Sequence, residues 1–384
     1  MKFAQIIGHD SLKQRLISTV QEQRIAHAQL FCGQEGVGKL QLALAYAQYV
    51  NCQHPTPTDS CGQCPSCLQY QRLQHPDLHF VFPIIKSDSG HRTSVCDDYL
   101  TPFRNMILER GYFSEGDWYA ATWSEVKMGQ IYASESSEIL RKLSLKSFEG
   151  GYKVMIIWLP ERMNETCANK ILKILEEPSA KTLFLLVSNS PDQLLTTIVS
   201  RTQRVQVDAL QEGEIAGALV RRFDDVDRQA VTDAARLARG SYLRALQLIE
   251  QEDDSRVYFE WYTQLMRQAW LVRNRRDYQA LQGLRSWSLQ IADKSISRNR
   301  QVQFLQYCQR LTRENFVRNL HIDALNCMTE QESRFAERFS PFVNESNIEG
   351  ITAELAKAER QIEKNGNAKM IFFNLALQMI MQIR

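Results

Sequence analysis

Two groups of residues have the types and spacing for chemistry. The first is Gly33-Gln34-Glu35-Gly36-Val37-Gly38-Lys39. This is the pattern of a phosphate-binding loop, in which glycines let backbone N–H groups converge on phosphate oxygens while the lysine neutralises the β and γ phosphates. The position after the lysine should carry a hydroxyl for magnesium, and here it is Leu40, which cannot coordinate a cation. The candidate nucleotide contacts are therefore Gly33, Gly36, Val37, Gly38, Lys39 and Leu40, in a degenerate site where ATP or ADP binding is weakened without being forbidden. A chance glycine turn is the alternative. The second group is Cys52, Cys61, Cys64 and Cys67, with eight, two and two residues between them. Thiolates so spaced can close tetrahedrally on Zn²⁺, and Pro55, Pro57, Gly62 and Pro65 supply the turns. Four cysteines leave no open coordination position, so the expected zinc is structural. Iron–sulfur binding, a redox role and unliganded thiols are the alternatives. His54 and His75 are nearby spare ligands, read instead as solvent-facing loop histidines.

Hydrolysis by a phosphate loop also needs carboxylates at the end of a second buried strand, to hold magnesium and orient water. The apolar run Lys153 to Leu159 supplies such a strand, but it ends Trp158-Leu159-Pro160-Glu161. Trp158 and Leu159 stand where acidic residues are needed, and Glu161 lies beyond the proline. Losses at Leu40, Trp158 and Leu159 together predict a nucleotide-binding fold that does not hydrolyse.

The elements that must position these residues alternate along the first half of the chain. Ala28 to Cys32 reads as a short strand feeding the glycine loop, and Leu40 to Val50 as the helix after it. Leu78 to Ile85 reads as a strand, Ser136 to Lys146 as a helix, and Gly150-Gly151 breaks the chain before the run from Lys153. Asn164 caps a helix whose Ala168, Ile171, Leu172 and Leu175 follow a helical period, and Leu183 to Val187 is a further buried strand. Between Lys86 and Lys127 the sequence turns irregular. Its Ser87-to-Gly90 stretch, acidic Asp97-Asp98 and aromatics Tyr112, Phe113, Trp118, Tyr119 and Trp123 read as a partly helical insertion packed onto the body. Repeated strand–helix units predict an α/β fold, a parallel sheet with helices on both faces, to about residue 209. Beyond Gln211 only helical patterns remain. The expected organisation is a P-loop domain over 1–209, with the zinc module at about 52–67 and the insertion at about 86–127. A small helical lid follows over 210–252, then an all-α domain over 253–384.

Composition agrees with a folded chain of two or three domains: 384 residues, 44% hydrophobic and 23% charged. Lys plus Arg total 46 and Asp plus Glu 44, so the net charge of +2 gives no global field for nucleic acid or membrane. No apolar run approaches the roughly 18 residues of a spanning helix, and no signal peptide is visible, so a cytoplasmic location without membrane contact is expected. Nine cysteines, an odd number, argue against a disulfide framework.

The motif order carries a family resemblance. A phosphate loop, a cysteine module just after the first loop helix, His75-Pro76-Asp77, Leu143-Ser144-Leu145-Lys146 and Gly150-Gly151-Tyr152-Lys153-Val154 are followed by Asn169 to Pro178 and by Ser200-Arg201-Thr202. The chain resembles the bacterial DNA polymerase III clamp-loader subunits, the gamma/tau and delta prime branch of the AAA+ family, over residues 1 to about 250. A weaker likeness surrounds Asn365 to Met370. The departures at Leu40, Trp158 and Leu159, and Leu243 where the motor subunits place a second sensor arginine, make it similar to delta prime. The resemblance implies an AAA+ domain, a lid and a helical collar in a hetero-pentamer with gamma/tau and delta subunits. That assembly would load a sliding clamp onto primed DNA as part of a DNA-directed DNA polymerase, with no turnover at this chain's own site. It implies that Arg201 is an arginine finger, reaching the neighbouring subunit's ATP. Thr202 replaces the motif's cysteine, which is not the working group, and outside this motif Arg201 would read as a surface arginine ending a strand. Asn189 and Ser190 fall where the family carries a first sensor. An active gamma/tau-type ATPase and a zinc-dependent DNA-binding module are the rival readings; the near-balanced charge speaks against the second.

Overall fold

A computed structural model describes every residue except 87–94, 124–127, 145, 149–150, 224–225, 251, 294, 321–325, 365 and 384. The Ser87-to-Gly90 stretch, Leu145, Gly150, Asn365 and the two ends of the insertion near 90 and 125 lie outside the described residues. Two compact units emerge, one of residues 1–228 with 238–246, the other of 229–237 with 247–384.

In the first unit α1 (Asp10–Gln21) precedes β1 (Ala28–Cys32), α2 (Lys39–Val50) and α3 (Pro65–Gln71). Then come β2 (Leu78–Val81), α4 (Leu100–Glu109), α5 (Glu115–Thr122), α6 (Ala133–Ser144), β3 (Lys153–Trp158) and α7 (Glu165–Glu176). Next are β4 (Thr182–Ser188), the short α8 (Thr196–Val199), β5 (Gln203–Gln206) and α9 (Glu212–Arg222); of the two helices that follow, α10 (Arg228–Leu237) belongs mostly to the second unit and α11 (Tyr242–Glu250) begins in the first. The five strands form one sheet in the order β2-β3-β4-β1-β5, every neighbour parallel. β1, β3 and β4 are buried along their whole length, as their unbroken apolar sequences require of strands covered on both faces. Register pairs Ala28 with Phe184 and Lys153 with Thr182. The strand expected over Leu78–Ile85 ends at Val81, because Pro83 has no N–H for the ladder; beyond it Ile84 forms an isolated antiparallel bridge with Gln130, outside the sheet.

α2 is buried from Lys39 to Tyr49, lying between the sheet on one side and α1 and α3 on the others. Asn164 caps α7 by accepting the Cys167 N–H at 2.8 Å, and Cys167, Ala168, Ile171 and Leu175 face inward. The sheet places the carboxyl ends of β1, β3 and β4 side by side, the position where open α/β sheets bind ligands. The loop after β1, Leu159 after β3 and Asn189 after β4 all leave from that edge.

The second unit is helical: α12 (Glu252–Arg275), α13 (Tyr278–Ile291), α14 (Arg298–Asn319), α15 (Glu330–Phe339), α16 (Ile348–Glu363) and α17 (Ala368–Gln382), together with most of α10. Its core joins Tyr262, Leu265, Trp287, Phe304, Leu355 and Phe372. Asn367 caps α17 through the Lys369 and Met370 N–H groups. No strand follows Gln206 among the described residues, and no described helix is long and apolar enough to cross a membrane.

Candidate functional site

The glycine loop runs from the end of β1 into the first residue of α2. Gly36 (φ +81°) and Gly38 (φ +98°) occupy the left-handed region, which lets the loop turn under the helix N-terminus. A side chain at Gly36 would strike Ser241 and Leu243, and the Gly36 carbonyl accepts the Tyr242 N–H at 3.0 Å. Leu243 is therefore packed directly on the loop and buried. Val37 is buried, and its carbonyl lies 2.8 Å from His9 Nε2.

Lys39 is turned back onto the loop. Its Nζ donates to the Gly33 carbonyl at 2.8 Å and the Gln34 carbonyl at 2.5 Å, and only 4% of the residue is exposed. Burial pulls its ammonium down to about 8, against the opposing pull of Glu161 and Glu35. Leu40, in place of a magnesium ligand, is buried. At the end of β3, Trp158 is buried and Leu159 takes a left-handed turn (φ +56°) that carries Glu161 to the loop after β4. There Glu161 Oε1 accepts the N–H groups of Asn189 at 2.8 Å and Ser190 at 3.2 Å, so this carboxylate braces the loop after β4.

The space bounded by these residues is a cavity of about 30 Å³, against about 300–1,000 Å³ for an ordinary small-molecule site. Part of its wall is the insertion: Gly111, Tyr112 and Phe113 lie beside Gly38, Lys39 and Trp158. The insertion's aromatics form one cluster with the sheet edge, Phe113 at 5.2 Å and Phe103 at 5.6 Å from Trp158, ring centre to ring centre, and Trp118 at 5.3 Å from Phe82. Glu115 holds Arg162 by two bonds of 2.7 and 2.8 Å. No motif announced Tyr112 or Gln41 as part of this site. The density of aromatics in the insertion is the only sequence signal for Tyr112, and Gln41 carries none.

Arg201 lies between α8 and β5, its side chain about one third exposed. Nε donates to Glu176 Oε1 at 2.6 Å and Nη1 to the Thr197 carbonyl at 2.9 Å. Ser200 and Thr202 bond back to the α8 carbonyls.

Cys52, Cys61, Cys64 and Cys67 meet with all four sulfurs within 4.8 Å of one another. Sulfurs around one zinc at about 2.3 Å stand about 3.8 Å apart, and Cys61 and Cys67 are at 3.9 Å. The Gln63 and Cys64 N–H groups point at the Cys61 sulfur and draw its pKa down, whereas burial pushes the Cys52 and Cys67 thiols up. Gly62 (φ +74°) makes the turn, and Cys64 caps α3. The arrangement can bind a metal. His54 is exposed outside it; His75, expected at the surface, is buried and lies 4.6 Å from the Tyr70 ring. The cysteine loop also anchors the chain's first residues, Asp59 accepting the Phe3 and Ala4 N–H groups at 3.1 and 2.9 Å.

A five-stranded parallel sheet in the order β2-β3-β4-β1-β5 with a phosphate-type loop after β1, covered by helices and followed by an all-helical region, defines an AAA+ fold. The model of the DNA polymerase III delta-subunit family matches residues 8–211, more than half of the chain, and the chain belongs to that family. It is 27% identical over 253 residues to the DNA polymerase III subunit tau/gamma of Haemophilus influenzae, covering 65% of this chain and 30% of that one. It is 31% identical over 225 residues to subunit delta' of Pseudomonas aeruginosa, 58% of this chain and 56% of that one. With subunit delta' of Bacillus subtilis the identity is 30% over 205 residues, 53% of this chain and 49% of that one. The chain thus spans less than two thirds of the length of each of these relatives.

Proposed function

We propose that this chain is a delta prime-type subunit of the DNA polymerase III clamp loader, a stator that does not turn over ATP and that completes a neighbour's ATP site. The observation carrying the reading is the apolar filling of the catalytic positions: Leu40 and Trp158 are both buried where magnesium ligands are needed. Arg201 is the group offered to the neighbour. An exposed guanidinium can leave Glu176 for the γ phosphate of a bound nucleotide, stabilise charge developing there and contribute about 10³ to 10⁵ in rate.

The partners are the gamma/tau and delta subunits, in a pentamer that engages the sliding clamp and primed DNA together. Residues 1–209 act as the AAA+ domain, 210–252 as its lid and 253–384 as a collar that joins the sister subunits. Exposed Met370, Leu377 and Met381 on α17 supply apolar surface for that contact. Cys52, Cys61, Cys64 and Cys67 would hold a structural Zn²⁺, which when bound fixes the turn that Asp59 ties to the chain's first residues.

Co-expression with tau/gamma and delta, followed by Mg-ATP turnover assays of the chain alone and in complex, tests the reading. A stable complex is expected, with no turnover by the isolated chain. Turnover by the isolated chain that disappears on Lys39→Ala contradicts it and favours an active motor.

A further inference from the structure

The fold supplies a phosphate loop, but the residues around it leave no room for a nucleotide. We propose that the Gly111–Phe113 segment of the insertion is the resident occupant of this site and closes it to ATP and ADP.

Four contacts seat the segment. Gln41, in the first turn of α2, donates its side-chain N–H to the Gly111 carbonyl at 2.5 Å and so ties the segment to the start of the helix that follows the phosphate loop. The Tyr112 hydroxyl is shielded from solvent and would stand 3.1 Å from a Cβ placed on Gly38, directly over the loop. Its ring meets Tyr242 edge-on at 4.9 Å, and Tyr242 is itself bonded through its N–H to Gly36. Phe113 then packs on Trp158 at 5.2 Å.

The remaining cavity of about 30 Å³ holds no more than a water or two. Lys39, whose charge would meet phosphate, is already satisfied by two loop carbonyls. Trp158 is therefore more than a lost acid: it is the apolar seat onto which the occupying segment docks. The loop and the insertion close against one another whatever the nucleotide concentration, which suits a subunit that must not move with ATP.

This proposal deepens the stator reading and rests on it for its purpose, not for its geometry. The test is equilibrium binding of ATP and ADP to the full chain, with and without magnesium, for the wild type, Tyr112→Ala, Gln41→Ala/Tyr112→Ala, and each combined with Lys39→Ala. The wild type should show no saturable binding up to about 1 mM. Tyr112→Ala should tighten binding at least about tenfold, the double variant further, and Lys39→Ala should cancel the gain. Folded Tyr112→Ala and double variants that bind no better than wild type overturn the proposal. Should the variants not fold, the wild type decides. A Lys39-dependent rise in melting temperature with ATP overturns closure, and an unchanged melting temperature upholds it. Wild-type binding without turnover removes closure but leaves the stator reading; binding with turnover removes both.

Discussion

Lys39 is a buried cation at the centre of the loop, and its titration has a readable sign. Its folded pKa is lowered from 10.5 to about 8, chiefly by burial. A depressed group contributes stability that is present above its unfolded pKa and is lost as pH falls through the folded one. The stability of the wild type minus that of Lys39→Met should therefore rise as pH is taken from 8 towards 10.5, by up to about 1.4 kcal/mol per pH unit. Urea melts of the two proteins across that range check it, and a flat difference contradicts the buried, self-satisfied lysine. At the end of β3 the expectation concerns repair. Trp158→Asp restores an acid in name only, because it removes an aromatic packed on Phe103 and Phe113 and buries a carboxylate in the same place. It should cost about 3–5 kcal/mol in denaturant melts and yield no ATP turnover. Recovery of turnover would show that the seat is a catalytic position after all.

The cysteine loop acts on its neighbours as an element. Asp59 is 8% exposed and accepts three backbone N–H groups, from Phe3, Ala4 and Ser60. Asp59→Ala leaves these donors without their acceptor and should destabilise the chain by roughly 2 kcal/mol or more, read from chemical denaturation. Cys64→Ser removes a metal ligand while leaving a hydroxyl that can still cap α3. Elemental analysis should find one zinc per wild-type chain and none in the variant, with a lower melting temperature; equal zinc in both would contradict a four-sulfur site. Elements with strong apolar patterns were legible in the sequence, β1 to the residue and α2 within one. β5 was not, because Gln203-Arg204-Val205-Gln206 is an edge strand with only Val205 buried and so carries no alternation to read. The four cysteines and the glycine loop could be placed from spacing alone. The Gly111–Phe113 segment could not, since its seat is built from Gln41, Trp158 and Tyr242, which only the sheet and the turn before α11 bring together.

At the scale of the whole molecule, one unit carries a loop that its own chain fills, and it presents Arg201 at its surface on an ion pair with Glu176. The second unit is a helical body whose last helix leaves apolar side chains exposed. Both features suit a subunit that acts on its neighbours instead of on a substrate of its own. The most direct test is DNA-stimulated ATP turnover by the reconstituted clamp-loader complex with Arg201→Ala introduced in this chain alone, assembly being verified by size-exclusion chromatography. The account predicts a complex that assembles normally but loses the turnover of the site Arg201 serves, and with it clamp loading. Full wild-type turnover by the assembled variant complex would contradict it.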